Sequence, residues 1–508
     1  MTNPTPPRLG PATLDRLPAA IRRPGYDRAR LTPGILHLGV GAFHRCHQAE
    51  YTDDALEAAF GPWGILGVNL RAPDLSASLG AQGGYYCREL REGEQVERRL
   101  IGSMVETISV PGANDASHAA TLERALAAAS RASIGVVTLT VTEKGYCHIP
   151  ATGELDLDHP DIRHDIANPS APSSVPGFVL RMMARRLEAG TPLPALISCD
   201  NVPDNGSTLR RSVLGLAQAI DPALGDRLAR EACFLNTMVD RIVPATRPED
   251  IDGFASQTGV LDMGLVVGEP FLMWVIENRF GGPMPAWEKA GALFVDDVAP
   301  YEILKMGVVN GIQSNLCQLG VLSGLEFMSD VMADGIFRAF ARRTIEREVM
   351  PNLPAVHGID VPAYLTETIK RLTNPALKHR TLQISTDGSQ KIKQRLLEPL
   401  RAALRAGTPC DGLLIGIAGW MQYASGRDSS GRKLPVDDPF AQRTLAIGEA
   451  SGGDAATLVG KMLEIDGIFG FDLSADAAIK ARLSDAVARL MQRPARLVVR
   501  DFLASEAG

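Results

Sequence analysis

The chain has 508 residues, 45% hydrophobic and 22% charged, with 52 basic against 59 acidic side chains and a net charge of −7. That length exceeds one ordinary core and implies two domains of roughly 200 to 290 residues. The acidic balance and the scarcity of aromatics (four Trp, eight Tyr) argue against nucleic acid and an anionic membrane surface as partners.

The seven cysteines are odd in number and widely spaced, without a C-x-x-C pair, so neither a disulfide framework nor a metal site is expected. Met1 to Pro7 lacks the basic and apolar regions of a signal peptide, and the apolar run Leu413 to Met421 is too short to span a bilayer. A reducing cytoplasm and no membrane association are the expectations.

Residues 1 to about 30 are rich in Pro and Arg and read as a loosely packed arm. Ile35 to Gly41 reads as a short buried strand ending in glycines, Ala42 to Phe60 as a helix, and Gly64 to Leu70 as a second strand, the start of a βαβ unit. Tyr85 to Val110 has the texture of hairpin-forming β structure. A helix follows at 115–131, a β-branched strand at 134–141, a helix at 175–188 and a strand at 195–199. This alternation predicts an α/β, Rossmann-like domain with a mostly parallel sheet. Near residue 290 long helical patterns take over, at 303–322, 328–346, 362–372, 390–406, 441–450 and 475–490. The boundary is therefore placed at 290, with a dinucleotide-binding domain over 1–290 and an all-helical substrate-binding and catalytic domain over 291–508. Ser425 to Lys433 reads as a polar surface loop.

Three clusters carry chemistry. A strand running into Gly39-Val40-Gly41-Ala42-Phe43-His44 and then a helix aims backbone N–H groups at a pyrophosphate. His44 replaces the third glycine of the usual fingerprint, and by pattern alone an ordinary tight turn fits as well. The second strand ends at Asn69-Leu70-Arg71, without the acid that usually binds the adenosine ribose. Arg71 suits either a 2′-phosphate or plain solvation, so NAD and NADP both stay open. Thr142-Glu143 and Asp200-Asn201 follow the carboxyl ends of two later strands, where doubly wound folds bind ligands. Asn201 can donate to a carbonyl or alkoxide oxygen, although Asp200-Asn201 equally suits a turn.

The third cluster is Lys305, Asn310 and Gln313 in an otherwise apolar helical segment, Tyr301 to Gln313. An α-helix turns about 100° per residue, which puts Asn310 roughly 140° and Gln313 roughly 80° from Lys305, all on one side of the cylinder. A desolvated lysine there has its pKa lowered toward the range of proton transfer. The competing reading is a lysine that snorkels to solvent.

The blocks HLGVGAFHRCHQAEYT (37–52), VTLTVTEKGYC (137–147), ISCDNVPDNG (197–206), NTMVDRIVPA (236–245), GEPFLMWVIE (268–277), YEILKMGVVNG (301–311) and NPALKHRTLQISTDGSQK (374–391) together resemble the polyol-specific long-chain, or mannitol, dehydrogenase family. GAFHR and the HRTxQIxxDGSQK run are most similar to its fructuronate reductase branch. The resemblance spans nearly the whole chain. It implies a zinc-independent oxidoreductase using NAD, with NADP open, that interconverts D-fructuronate and D-mannonate. A polyol dehydrogenase of the mannitol or arabinitol type, or a non-catalytic cofactor-binding sensor, are the alternatives.

The family pattern Lys-x4-Asn-x2-His implies Lys305 as general acid/base, with Asn310 and Asn201 as the oxyanion-stabilising pair. Glu302, three residues before Lys305, is placed to pair with it or relay its proton. The dinucleotide is expected against Gly39, Gly41, Ala42, Phe43, His44, Asn69, Thr142 and Glu143. Asp240, His379, Arg380 and Lys391 are candidates for the substrate's hydroxyls and, in a sugar acid, its carboxylate. Gln313 departs from the pattern, standing where the family has histidine; it can hold a hydroxyl but cannot carry a proton near neutral pH. Family members are often monomeric, so a monomer or small homo-oligomer is expected.

Overall fold

The computed structural model describes residues 6–71, 73–149 and 152–505. It resolves into two compact units that divide at Ala299/Pro300.

The first unit contains strands β1 (Pro33–Leu38), β2 (Gly64–Asn69), β3 (Tyr86–Glu92), β4 (Gln95–Ile101), β5 (Met104–Ser109), β6 (Val136–Leu139), β7 (Ala195–Ser198), β8 (Cys233–Leu235), β9 (Thr237–Asp240), β10 (Val266–Gly268), β11 (Met273–Glu277) and β12 (Leu293–Val295). Six of them form one sheet in the order β5-β2-β1-β6-β7-β8, every pair parallel. Counted within the sheet this is 3-2-1-4-5-6, so the connection reverses between β1 and β6 and opens a crevice at their carboxyl ends. The central strands are buried on both faces, which is why β6 reads as an unbroken apolar and β-branched run.

The helix Val175–Glu188 shows how one face is covered. Ser174 caps it by accepting from the Gly177 N–H at 2.9 Å, and Pro176 occupies the first turn, where its missing N–H costs nothing. Phe178, Val179, Met182 and Met183 then fall on one face and are fully buried against the sheet. Each contributes about 1.5–3 kcal/mol of apolar burial.

Three expectations are corrected by the structure. Only β3 and β4 form a hairpin; Met104–Ser109 instead pairs parallel to β2 as the sheet edge. The 42–60 helix breaks at His47, whose Nε2 donates to the Met273 carbonyl at 2.9 Å, giving helices Ala42–Cys46 and Gln48–Ala58. The N-terminal arm, where described, is packed: Leu9, Leu17 and Ile21 are buried with Cys87, Leu100, Phe254, Val260 and Leu265. Residues 1–5 lie outside the described residues.

The second unit is helical. The helix Asp411–Ala424 is buried on all sides from Gly412 onward and packs against Gly311–Leu322 and Ala477–Gln492. Gly416 permits the first contact, since a Cβ there would fall 1.6 Å from Asn315 Oδ1. Three of the helical segments are interrupted, and one of them, 328–346, breaks at Asp334, whose extended backbone separates Met328–Ala333 from Gly335–Thr344. The segment read as one helix over 303–322 is Ala299–Lys305, a π-turn at Met306–Asn310, then Gly311–Leu322. The segment 390–406 is likewise Gly388–Ile392, a π-turn at Lys393–Leu397, then Glu398–Ala406. The two π-turns pack against each other. No helix among the described residues is long and apolar enough to cross a membrane.

Candidate functional site

In the first unit a cleft of about 550 Å³ opens at the carboxyl ends of β1, β2 and β6, lined by Gly39, Gly41, Asn69, Arg71, Thr142 and Asp161 among others. Gly39 has φ +89°, and a Cβ on it would lie 2.2 Å from the Thr140 carbonyl oxygen, so only glycine fits. Gly41 differs: a Cβ would meet nothing closer than 3.9 Å, leaving open space over the backbone into which a pyrophosphate can approach. Asn69 ties the tip of β2 to this turn, accepting from the Val40 N–H at 2.6 Å and donating to the Pro73 carbonyl at 2.9 Å. The cleft therefore fits a dinucleotide.

His44 takes a different place from the one expected. Its ring is buried and stacks on His37 at 3.4 Å between centroids, behind the glycine turn and away from the cleft lining. His37 bonds to Thr138 Oγ1 at 2.7 Å and Thr140 Oγ1 at 2.9 Å; because Thr140 donates onward to Gly39, the network assigns His37 the neutral form with hydrogen on Nε2. Burial lowers His37 to about 3, and burial, with the adjoining His37 ring disfavouring a second proton, holds His44 well below its ordinary value. The third fingerprint glycine is thus replaced by a packed pair of neutral histidines. Ala42, Phe43 and Glu143 likewise do not line the cleft.

Arg71 at the tip of β2 is ion-paired with Asp161, from the first turn of the helix Pro160–Ala167. Cys147, His159 and Asp161 place their donor atoms within 4.8 Å of one another. Each has another commitment: Asp161 to Arg71, His159 Nδ1 to the Asp161 N–H at 3.2 Å, and Cys147 pushed up to about 12 by burial and by Asp161. Asp161 was invisible to sequence reasoning because it arrives from 90 residues beyond Arg71.

At the tips of β6 and β7, Asp200 accepts from Thr142 N (2.8 Å), Val141 N (3.0 Å) and the Tyr146 hydroxyl (2.7 Å). Burial raises its pKa against those hydrogen bonds. This grip holds Thr142 at φ 65°, a conformation non-glycine residues rarely adopt. Asn201 follows immediately and is exposed, while Asp240 is buried at the end of β9.

In the second unit Lys305, Asn310 and Gln313 are all buried, 8%, 6% and 8% exposed. Lys305 immediately precedes the π-turn and Asn310 closes it. A π-turn closes i to i+5, so these two residues come into line, where a continuous α-helix would hold them far apart in angle. Gln313 is three residues further along regular α-helix and adjoins Asn310. The Asn310 amide donates to Met306 Sδ at 3.1 Å, a weak acceptor. Glu302 precedes Lys305 by three residues on the helix Ala299–Lys305.

The far-end candidates separate. Arg380 is exposed and paired with Glu326 at 3.1 Å, so it does not join Lys391. His379 and Lys391 do come together, and with them Arg395, a residue that sequence reasoning did not single out. Arg395 Nη1 donates to Ser314 Oγ at 3.4 Å, on the helix of Gln313.

The mannitol dehydrogenase Rossmann domain matches residues 33–289, and the mannitol dehydrogenase C-terminal domain matches residues 297–491. The chain is 41% identical over 481 residues to D-mannonate oxidoreductase of Escherichia coli (strain K12), covering 94% of this chain and 97% of that protein. It is 34% identical to mannitol 2-dehydrogenase of Cereibacter sphaeroides, over 96% and 99% of the two chains. Among solved structures, the Pseudomonas fluorescens mannitol 2-dehydrogenase ternary complex with NAD and D-mannitol superposes with a TM-score of 0.86 at 32% identity, covering 98% of this chain and 99% of that one. A substrate-free D-sorbitol dehydrogenase gives 0.84 at 29% identity, over 97% and 100%.

Proposed function

We propose that this chain, which belongs to the mannitol dehydrogenase family, is an NAD-dependent oxidoreductase that interconverts the alcohol D-mannonate and the ketone D-fructuronate. The observation that carries the reading is the π-turn that aligns buried Lys305 with Asn310. The 41% identity to D-mannonate oxidoreductase, against 32–34% to the mannitol enzymes, supports a sugar acid over an alditol. The glycine turn and the open space over Gly41 support the dinucleotide.

When bound, the nicotinamide cofactor accepts or supplies the hydride. The chain's own residues handle the proton and the charge on oxygen. In oxidation the neutral Lys305 amine takes the carbinol proton; in reduction the ammonium returns it. The Asn310 amide rests on a thioether, and a substrate oxygen that gains negative charge is a far better acceptor for the same N–H. Gln313 adjoins it and is suited to hold a neighbouring hydroxyl. The resemblance assigns Asn201 a second amide donor's role, which Asn201→Ala tests separately. The seven cysteines are unpaired, which supports a reducing, cytoplasmic setting.

An alditol dehydrogenase is the second reading, supported by the superposition on the complex with D-mannitol. Initial rates with NAD and NADP against D-mannonate, D-mannitol and related aldonates and alditols separate the two. Fastest turnover of D-mannonate with NAD is expected; failure of every six-carbon aldonate and uronate overturns the sugar-acid reading.

A further inference from the structure

Among the described residues, a cluster of basic side chains that forms no salt bridge lies one helical turn beyond Asn310. Ser314 comes four residues after Asn310 on the same helix and so adjoins it on the same face. The Arg395 guanidinium reaches Ser314 Oγ at 3.4 Å, held there because its π-turn packs on the helix Gly311–Leu322. Lys391, four residues before Arg395, donates to the Ile384 carbonyl at 3.1 Å, which occupies one of its three ammonium hydrogens. His379 completes the group, with a buried Nδ1 that has no hydrogen-bond partner.

His379 feels the charges of both Lys391 and Arg395, and Lys391 feels that of Arg395. Burial, then Lys391 and Arg395, lower His379 to about 4; burial, then Arg395, lowers Lys391; burial lowers Arg395 to about 10. Desolvation is the first cause in all three, and a neighbouring cation adds to it at His379 and Lys391. Among the described residues the one group that opposes the Arg395 charge is the Cys317 thiol, and burial pushes that thiol up to about 11, so it is neutral at neutral pH. The acids near Lys391 do not pair with it. The Asp438 carboxylate accepts from Ser389 N at 2.7 Å and Phe440 N at 2.8 Å, and Asp387 acts on Lys391 only at longer range. Two desolvated cations and a buried imidazole nitrogen without a partner are costly to assemble, and an anionic ligand offsets that cost.

We propose that Arg395, with Lys391 and His379, is the seat of the substrate carboxylate, and that Arg395 is the residue that separates a sugar acid from the neutral alditol of the same carbon skeleton. The guanidinium fork matches a carboxylate in two parallel hydrogen bonds, which neither an alcohol nor a lysine at 395 can reproduce. This rests on the reading of Lys305 and Asn310 as the reacting end, since the seat adjoins them on the same helix.

The test compares D-mannonate with D-mannitol, which carries CH2OH where the acid carries its carboxylate, using the full chain with NAD. In Arg395→Met the ratio of kcat/KM for the acid to that for the alditol is expected to fall about a hundredfold, mostly through KM for the acid, with Arg395→Lys recovering part of it. NADH binding, monitored by fluorescence, reports that each variant is folded. Equal loss on both substrates, or an unchanged ratio, overturns the inference and leaves the Lys305 reading standing. A wild-type protein that prefers the alditol does the same. A wild-type protein that binds NADH and turns over neither substrate overturns the functional reading itself, and the inference with it.

Discussion

Lys305 and Asn310 flank a π-turn at Met306–Asn310, and that single extra residue in the helical ladder brings the two side chains into line. In regular α-helix the same five-residue spacing would leave them roughly 140° apart around the axis. Inserting one alanine after Val308 lengthens the spacing to six residues, which in regular α-helix leaves Lys305 and Asn310 about 120° apart. The insertion is expected to keep NADH binding and to lower kcat by about a thousandfold, since the proposed proton donor and oxyanion donor no longer face one substrate oxygen. Steady-state kinetics check this; turnover within a few-fold of wild type would show that the alignment has no role.

Gln313 makes a separate prediction. A glutamine holds a hydroxyl without titrating, so the wild-type pH profile of kcat/KM carries no limb from this position. Gln313→His is expected to stay active and to gain a limb near the ordinary histidine value of about 6.5. Superimposable profiles from pH 5 to 9 would remove Gln313 from contact with the substrate.

The Arg71–Asp161 pair bears on cofactor choice. Asp161 occupies the Arg71 charge and adds a negative charge beside the cleft, both unfavourable to a 2′-phosphate. Asp161→Asn leaves Arg71 available, and the NADP/NAD ratio of kcat/KM is expected to rise about tenfold, a modest factor because the pair is partly exposed and screened. Arg71→Ala in that background should cancel the gain. A ratio unmoved by Asp161→Asn would contradict the role.

The neutral His37 predicts an acid weakness. Its folded pKa is depressed to about 3 from 6.5, so below neutrality the unfolded chain takes up a proton that the folded chain refuses. Stability conferred by this residue is therefore present above about 6.5 and declines as pH falls, by about 2 kcal/mol between pH 7 and 5. Urea-unfolding midpoints at the two pH values should fall less in His37→Gln than in wild type; equal falls would contradict the assignment.

How far the sequence carries depends on whether a feature is local. The apolar and β-branched run at Val136–Leu139 and the glycines after β1 are local signals, and the parallel sheet and the turn could be read from them. β5 read as part of a hairpin because its partner β2 lies 35 residues upstream, beyond any periodicity. The π-turns leave no mark in composition, since Met306 to Asn310 and Lys393 to Leu397 suit an ordinary helix equally well. Arg395 was not singled out for that reason, and Arg380, which was a ligand candidate, pairs with Glu326 at the surface. His44 stood in the right motif but packs on His37, a contact set by tertiary structure.

The proposed mechanism turns on Lys305, and its removal is the most direct trial. In Lys305→Ala, with NAD and D-mannonate, kcat is expected to fall by about a thousandfold or more, while NADH binding is kept and added primary amines restore part of the rate. Turnover within a few-fold of wild type in that variant would contradict the mechanism outright.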